Sequence, residues 1–203
     1  TYGAGGVNVT IMARDAESGG GLFTAMYVER YGHVDAWVAS TPIADMVAGL
    51  QQALPAVIRR RPDGAPQRFL VSLAARLNPV RAITLAKYER QFGADGIHGA
   101  LRVLKAVGPV DLARIDAPLL ALVGASEDAE FRRQAYQVHQ AVRQRRPESR
   151  LIEFAPDTGA DAHCQVNNLP LALAHTFAWL NDIGLAAAGD VDRFVAESPH
   201  TRP

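Results

Sequence analysis

Asp15-Ala16-Glu17-Ser18-Gly19-Gly20-Gly21 is the stretch on which the fold prediction depends. It lies between a β-branched, apolar run, Val7–Ala13, and a segment with apolar residues at helical spacing, Gly20–Tyr31. A serine between small residues at a sharp strand-to-helix turn is the pattern of a nucleophile elbow. The usual form is G-x-S-x-G, and here Ala16 stands at the first position. The stretch alone fits an inert glycine-rich turn as well as a nucleophile, so the rest of the chain must decide.

The composition narrows the class of protein. A chain of 203 residues that is 48% hydrophobic is long enough for one domain with a sizeable core. The 21 basic and 21 acidic residues balance, which predicts no nucleic-acid partner. No apolar run reaches about 18 residues, so no membrane span is expected. A single cysteine, Cys164, and the lack of a secretory signal indicate a reducing, cytoplasmic location.

A β-α-β unit opens the chain, because a second short strand is predicted at Asp35–Ser40. Two strands joined by one helix over about 30 residues predict a parallel sheet. The next segment, Ile43–Val110, is rich in helical patterns and is interpreted as a helical cap insertion. Its predicted helices are Ala44–Leu54, Pro66–Leu77, Val80–Phe92 and Ile97–Val107.

The β-α-β pattern then resumes. Leu119–Val123 is a continuous apolar run typical of a strand buried on both faces. It is followed by a predicted helix, strand and helix: Ala129–Arg146, Arg150–Phe154 and Leu169–Ile183. We therefore predict an α/β core over residues 1–184, with the insertion at about 43–110 and a tail at 185–203.

The residues that follow three of the strands form a pattern. Parallel α/β sheets place their sites at the carboxyl ends of strands. Ser18 follows the first strand, the carboxylates Glu127 and Asp128 follow Leu119–Val123, and His163 follows Arg150–Phe154. The order serine, acid, histidine is the order of triad residues in α/β-hydrolases. Three suitable residues in this order favour the elbow interpretation of Ser18 over an inert turn.

Each residue type fits a step of acyl-transfer chemistry. A serine hydroxyl needs a general base, and histidine can accept and return its proton. A carboxylate orients the imidazole, and we assign this role to Asp128, with Glu127 as the alternative because only the sheet register distinguishes them. The backbone N–H of Gly19 is the candidate oxyanion donor.

Other polar residues are interpreted as structural. Asp157 and Asp161 are expected to be loop or capping residues, and Glu17 to face solvent or a substrate. Cys164 adjoins His163, and adjacent side chains usually point apart, so we expect a small buried residue rather than a nucleophile. The remaining histidines considered lack metal-ligand spacing, so neither a metal nor a cofactor is expected: His33, His98, His139 and His175.

The run Gly159-Ala160-Asp161-Ala162-His163-Cys164-Gln165-Val166-Asn167-Asn168, with Phe177-Ala178-Trp179-Leu180 after it, resembles the histidine loop of a group of α/β-hydrolases. These are the fermentation-respiration switch protein-like enzymes, which include 2,6-dihydroxypseudooxynicotine hydrolase and fungal pigment-pathway polyketide-shortening hydrolases. Ala39–Met46 and Lys87–Gly93 are weaker matches. The resemblance spans about Val7 to Ile183.

The resemblance implies a cofactor-free hydrolase in which Ser18, Asp128 and His163 are catalytic. Some members cleave a carbon–carbon bond beside a ketone, and related enzymes act as esterases or as acyl-transfer cyclases. In the complete fold several strands precede the nucleophile strand, which here lies near Thr1. We therefore expect an N-terminal fragment or a second chain to complete the sheet, with a homodimer as a further arrangement.

The function predicted from the sequence is a serine-dependent hydrolase that attacks a carbonyl of a small-molecule or polyketide-like metabolite. Three alternatives stay open. The first is an acyltransferase or cyclase that uses the same triad. The second is a non-catalytic binding protein on the hydrolase fold, which the substitution at Ala16 and the missing strands favour. The third is an N-terminal nucleophile enzyme that uses Thr1, although the triad order argues against it.

Overall fold

A computed structural model describes residues 9–11, 19–32, 34–52, 83, 86, 90, 93 and 96–185. The chain divides into two compact units. The first consists of Thr1–Ala44 together with Val110–Pro203, and the second consists of Asp45–Pro109. The strands and the predicted site residues belong to the first unit.

The helices and strands alternate through the first unit. In chain order the elements of both units are β1 (Val9–Ile11), α1 (Gly19–Tyr31), β2 (Ala36–Ser40), α2 (Met46–Gln52), α3 (Gly96–Val107), β3 (Leu119–Gly124), α4 (Ala129–Arg143), β4 (Arg150–Phe154) and α5 (Leu169–Asp182). Short 3-10 turns lie at Leu112–Arg114, Pro156–Thr158 and His163–Gln165.

The described strands form one parallel sheet in the order β1-β2-β3-β4. Val38 of β2 pairs with Ile11 of β1 on one side and with Leu120 of β3 on the other. Leu122 of β3 pairs with Ile152 of β4. The prediction of a parallel sheet with helices, and hence of the α/β class, is confirmed.

Helices cover the sheet, and the side chains alternate between its faces as the period of a strand requires. Every residue of β3 is buried, as its continuous apolar run predicts. On one face Val38 and Leu120 pack in a cluster with Trp179 of α5. On the other face the Nε1–H of Trp37 donates to Thr24 Oγ1 of α1 at 3.1 Å. The sheet is therefore a central layer between helices.

The second unit contains α2 and α3. Met46 of α2 and Leu104 of α3 are buried. The helices predicted at Pro66–Leu77 and Val80–Phe92 lie outside the described residues, apart from positions 83, 86 and 90, which are helical. The tail from 186 to 203 also lies outside them. Within the described part of the chain, no helix has the length and apolarity needed to cross a membrane.

Gly124, the last residue of β3, allows the loop after β4 to approach the sheet closely. A Cβ atom at position 124 would lie 2.2 Å from the carbonyl oxygen of Asp161 and 2.6 Å from that of Ala162. Both atoms belong to backbone, which cannot move aside as a flexible side chain would. The absence of a side chain at Gly124 thus sets the distance between β3 and the loop that carries His163.

We predict that Gly124→Ala destabilises the fold by about 1–3 kcal/mol, the usual range for an overpacked site. Thermal unfolding followed by circular dichroism should show a fall in melting temperature of several degrees. The matched control is Gly32→Asn. A Cβ at Gly32 meets nothing within 4 Å, and Asn tolerates the positive φ of 60° at that position. An equal loss in both variants would contradict the close approach at Gly124.

Candidate active site

Three connections at one edge of the sheet bring the candidate residues together. Because β2, β3 and β4 are parallel, their carboxyl ends meet at the same edge. Thr41 directly follows β2, Glu127 lies three residues after β3, and His163 lies in the loop after β4. The sheet therefore gathers residues that are far apart in the sequence.

Glu127 and His163 form the centre of this cluster. The Nδ1 atom of His163 lies 2.5 Å from Oε2 of Glu127. The same oxygen accepts a hydrogen bond from Thr41 Oγ1 at 2.9 Å, and Oε1 accepts one from the Asp128 backbone N–H at 3.1 Å. Only 5% of the Glu127 side chain is exposed, against 31% for His163. The carboxylate is thus buried with three donors, while the ring can be reached from solvent.

The carboxylate that contacts His163 is that of Glu127, whereas Asp128 was expected from the sequence. The Asp128 carboxylate accepts a hydrogen bond from the backbone N–H of Glu130 at 2.9 Å and so caps the N-terminus of α4. Glu127, the alternative from the sequence, is the carboxylate that contacts His163. The sequence does hold a signal for this, because an aspartate directly before a predicted helix is a preferred cap.

The surroundings shift the pKa values of both partners in opposite directions. Burial of Glu127 opposes ionisation and so tends to raise the pKa of the carboxyl. The hydrogen bond and charge of His163, together with the hydrogen bonds from Thr41 and Asp128, outweigh burial, so the pKa is lowered. Hydrogen bonds to Cys164 and then to Glu127 raise the pKa of His163 to about 10, against the opposing effect of burial. The arrangement therefore favours an ion pair.

The position of Cys164 differs from the expectation. The residue is half-buried, and its thiol lies close enough to the His163 ring to raise the pKa of that ring. The backbone explains the difference, since Cys164 has a φ of 54°, in the left-handed region. In an extended chain the side chains of adjacent residues point to opposite sides. A residue with left-handed backbone does not follow this rule, so the Cys164 side chain can lie on the same side as that of His163.

Backbone strain is concentrated at this edge of the sheet. In the described part of the chain, positive φ at residues other than glycine occurs at Thr41 (59°), Cys164 (54°) and Gln165 (51°). Such conformations are unfavourable for residues with a Cβ and cluster at functional sites. Thr41 contacts Glu127, and the other two directly follow His163. The strain thus marks the same place as the Glu127–His163 pair.

A second set of hydrogen bonds ties the acid loop to the histidine loop. Ser126 donates its hydroxyl to Asp161 Oδ2 at 2.5 Å, and its N–H to the Asp161 carbonyl at 3.0 Å. The Asn167 amide donates to Asp161 Oδ1 at 3.0 Å. The hydrogen bond from the Ser126 hydroxyl lowers the pKa of the Asp161 carboxyl most, and the bond from the Asn167 amide lowers it further. The loop role expected for Asp161 is confirmed, and Ser126 and Asn167 are partners that the sequence reasoning missed.

The structure describes the predicted oxyanion donor, Gly19, but not the predicted nucleophile, Ser18. Ser18 and Glu17 lie outside the described residues. α1 begins at Gly19, so its N–H belongs to the first turn, where N–H groups have no partner within the helix. A Cβ at Gly21 would lie 2.3 Å from the carbonyl oxygen of Thr41. The start of α1 therefore packs directly against the turn that binds Glu127.

Other candidates play no part in this cluster. Asp157 lies in an exposed 3-10 turn, and His175 packs edge-on against Phe154 at 5.5 Å between ring centroids. His139 contacts the Ser149 carbonyl at 3.4 Å. In the described residues, no group of three or more His, Cys, Asp or Glu side chains is arranged to hold a metal ion.

We predict that Glu127→Gln lowers the pKa of His163, because the amide carries no charge to stabilise the imidazolium. Asp128→Asn should leave the pKa of His163 unchanged, since Asn caps helices as well as Asp does. The measurement is a pH titration of the histidine ring signals by NMR, with the His163 signal assigned from His163→Gln. A larger change in Asp128→Asn than in Glu127→Gln would overturn the pairing.

The same pair should make stability depend on pH. A lowered carboxyl pKa adds stability above the ordinary value of 4.5, and this is lost as pH falls through the folded value. A raised histidine pKa adds stability below 6.5, and this is lost as pH rises towards about 10. The difference in melting temperature between the natural protein and Glu127→Gln should therefore be largest between pH 4.5 and 6.5. A difference that stays constant across pH would contradict the ion pair.

Neither the models of known protein families nor the curated proteins contain a match to this chain. The resemblance to the fermentation-respiration switch protein-like hydrolases therefore stays a prediction, carried by the residues of the histidine loop.

Proposed function

We propose that this protein is a serine-dependent hydrolase with an α/β-hydrolase fold. Its substrate would be a small-molecule or polyketide-like metabolite, cleaved at an ester or at a carbon–carbon bond beside a ketone. One observation carries the proposal: a half-buried histidine is bound through Nδ1 to a buried carboxylate at the carboxyl edge of a parallel sheet. An imidazole held in this way by a carboxylate is the acid–base part of a catalytic triad.

In this proposal Ser18 is the nucleophile, His163 the general base and Glu127 the orienting acid. Glu127 binds Nδ1, so Nε2 exchanges the proton with the serine hydroxyl. The buried carboxylate stabilises the imidazolium, which is the form of the ring that the transition state requires. Glu127 here takes the role first assigned to Asp128.

The start of α1 supports the position proposed for Ser18. α1 begins at Gly19, the residue directly after Ser18, and follows the parallel strand β1. A hydroxyl at the positive end of a helix is favourably placed to become an alkoxide or an ester. The Gly19 N–H is the proposed donor to the oxyanion, a role worth about 3 kcal/mol of barrier.

The position of β1 in the strand order supports a partner segment that adds to the sheet. Of the described strands, only β2 pairs with β1, so β1 is the outermost strand of the described part of the sheet. Unpaired edges are places where another strand can add. We include in the proposal a second polypeptide segment that pairs with β1.

We predict that a fluorophosphonate probe labels Ser18 covalently. In the reaction the serine oxygen bonds to phosphorus, fluoride leaves, and the serine proton passes to His163. Peptide mapping by mass spectrometry should locate the adduct on Ser18. The labelling rate should rise with pH, because neutral His163 is the base and its pKa is raised. His163→Ala should slow labelling by at least about a hundredfold.

Asp128→Asn is the matched control for the acid. At a pH above about 10, where His163 is neutral in every protein compared, it should leave labelling unchanged while Glu127→Gln slows it. The proposal fails if the folded protein, with the Glu127–His163 pair intact by NMR, leaves Ser18 unlabelled at alkaline pH.

A further inference from the structure

Gln165 is a fully buried polar side chain that crosses from the histidine loop to the sheet. Its exposed fraction is 0%, and Oε1 accepts a hydrogen bond from Ser40 Oγ at 2.5 Å. Ser40 is the last residue of β2, 125 positions away in the sequence. Gln165 also closes the 3-10 turn that begins at His163, since its N–H donates to the Ala162 carbonyl at 2.9 Å. One residue therefore joins the turn that carries His163 to a strand end.

The end of β2 holds both members of the ion pair. Ser40 binds Gln165, and its neighbour Thr41 donates to Oε2 of Glu127 at 2.9 Å. That oxygen is the one that contacts His163. Two consecutive residues thus fix the acid directly and the histidine turn through Gln165. A shift of the turn relative to β2 would change the distance between Nδ1 and the carboxylate.

The turn needs such an anchor, because its backbone is unfavourable. Cys164 and Gln165 both have left-handed φ, at 54° and 51°. Conformations of this kind persist only where the surrounding structure holds them in place. Among the described residues, the Gln165 Nε2 atom is also buried without a hydrogen-bond partner, which adds a desolvation penalty. The hydrogen bond from Ser40 to Oε1 stabilises Gln165 against these unfavourable contributions.

We propose that Gln165 is a positioning residue, which holds His163 on Glu127 through its hydrogen bond with Ser40. It acts on the ring through the turn and does not touch the reacting atoms. The effect of Gln165 on catalysis rests on the proposed hydrolase function. Its effect on the position of His163 does not.

The test compares Ser40→Ala, Gln165→Met and the double variant. Gln165→Met keeps a side chain of similar length and removes the acceptor, while Ser40→Ala removes the donor. Each single variant should lower the pKa of His163, measured by NMR titration. At a pH above about 10, where the ring is neutral in every protein compared, each should also slow fluorophosphonate labelling of Ser18 by about tenfold to a hundredfold. The double variant should show no further loss, because either single change already breaks the bond.

Two further variants separate positioning from general destabilisation. Ser40→Thr keeps a hydroxyl and should restore the natural pKa of His163. Val166→Ala changes the next residue, which is 68% exposed, and should alter neither measurement. The proposal is overturned if the single variants lower only the melting temperature and leave the pKa of His163 unchanged, or if their effects on that pKa add in the double variant.

The readouts also separate this proposal from the proposed function. A lowered pKa of His163 in the variants, in a protein whose Ser18 never reacts, would support the role of Gln165 and reject the hydrolase. Labelling of Ser18 that is unchanged in Gln165→Met and Ser40→Ala would support the hydrolase and reject the positioning role.

Discussion

The buried carboxylate of Glu127 is the constraint on which this edge of the sheet depends. An ionised carboxylate in the interior is unstable unless donors and an opposite charge replace the water it loses. Glu127 has three donors, from His163, Thr41 and the Asp128 backbone. They come from the connections after three adjacent strands, so the charge can be satisfied only when those connections are correctly assembled. Local electrostatics and the parallel sheet therefore support each other.

Close backbone packing brings these connections within hydrogen-bond distance. Gly124 lets the histidine loop lie against the end of β3, and Gly21 lets α1 lie against the Thr41 turn. At the same edge of the sheet, Thr41, Cys164 and Gln165 have left-handed backbone. Strain in such a place indicates that the surrounding contacts determine the geometry, because an unconstrained loop would relax. The site is thus held by the fold rather than by the flexible parts of its loops.

Much of the fold of the first unit could be predicted from the sequence, because hydrophobic periodicity and chain order are local signals. The apolar run of β3 and the segment that became α1 are examples. Which of the two carboxylates contacts His163 could not be predicted, since Glu127 and Asp128 are neighbours and only three-dimensional register separates a helix cap from a buried ion partner. The contact of the Cys164 thiol with His163 depends on one φ angle, which the sequence does not reveal.

The hydrogen bonds of Ser40 with Gln165 and of Thr41 with Glu127 could not be predicted from the sequence for a different reason. They join residues 125 and 86 positions apart, and nothing in either segment identifies the other. Polar residues such as serine, threonine and glutamine are also common on surfaces and at turns, so their types carry little information. Only the order of the parallel strands brings them together. The prediction that candidate residues meet at the strand ends holds for Glu127 and His163, whereas Ser18 lies outside the described residues.

The two neighbouring carboxylates show how one short connection can serve two purposes. Asp128 has a short side chain that folds back onto the first turn of α4 and fixes where the helix begins. Glu127 is one methylene longer and reaches His163, and its side chain stays 5% exposed. Exchanging the two types would give the cap a poorer residue and the histidine a shorter partner. The order Glu127-Asp128 therefore meets two requirements, a side chain long enough to reach His163 and a good helix cap. Neither requirement alone accounts for both positions.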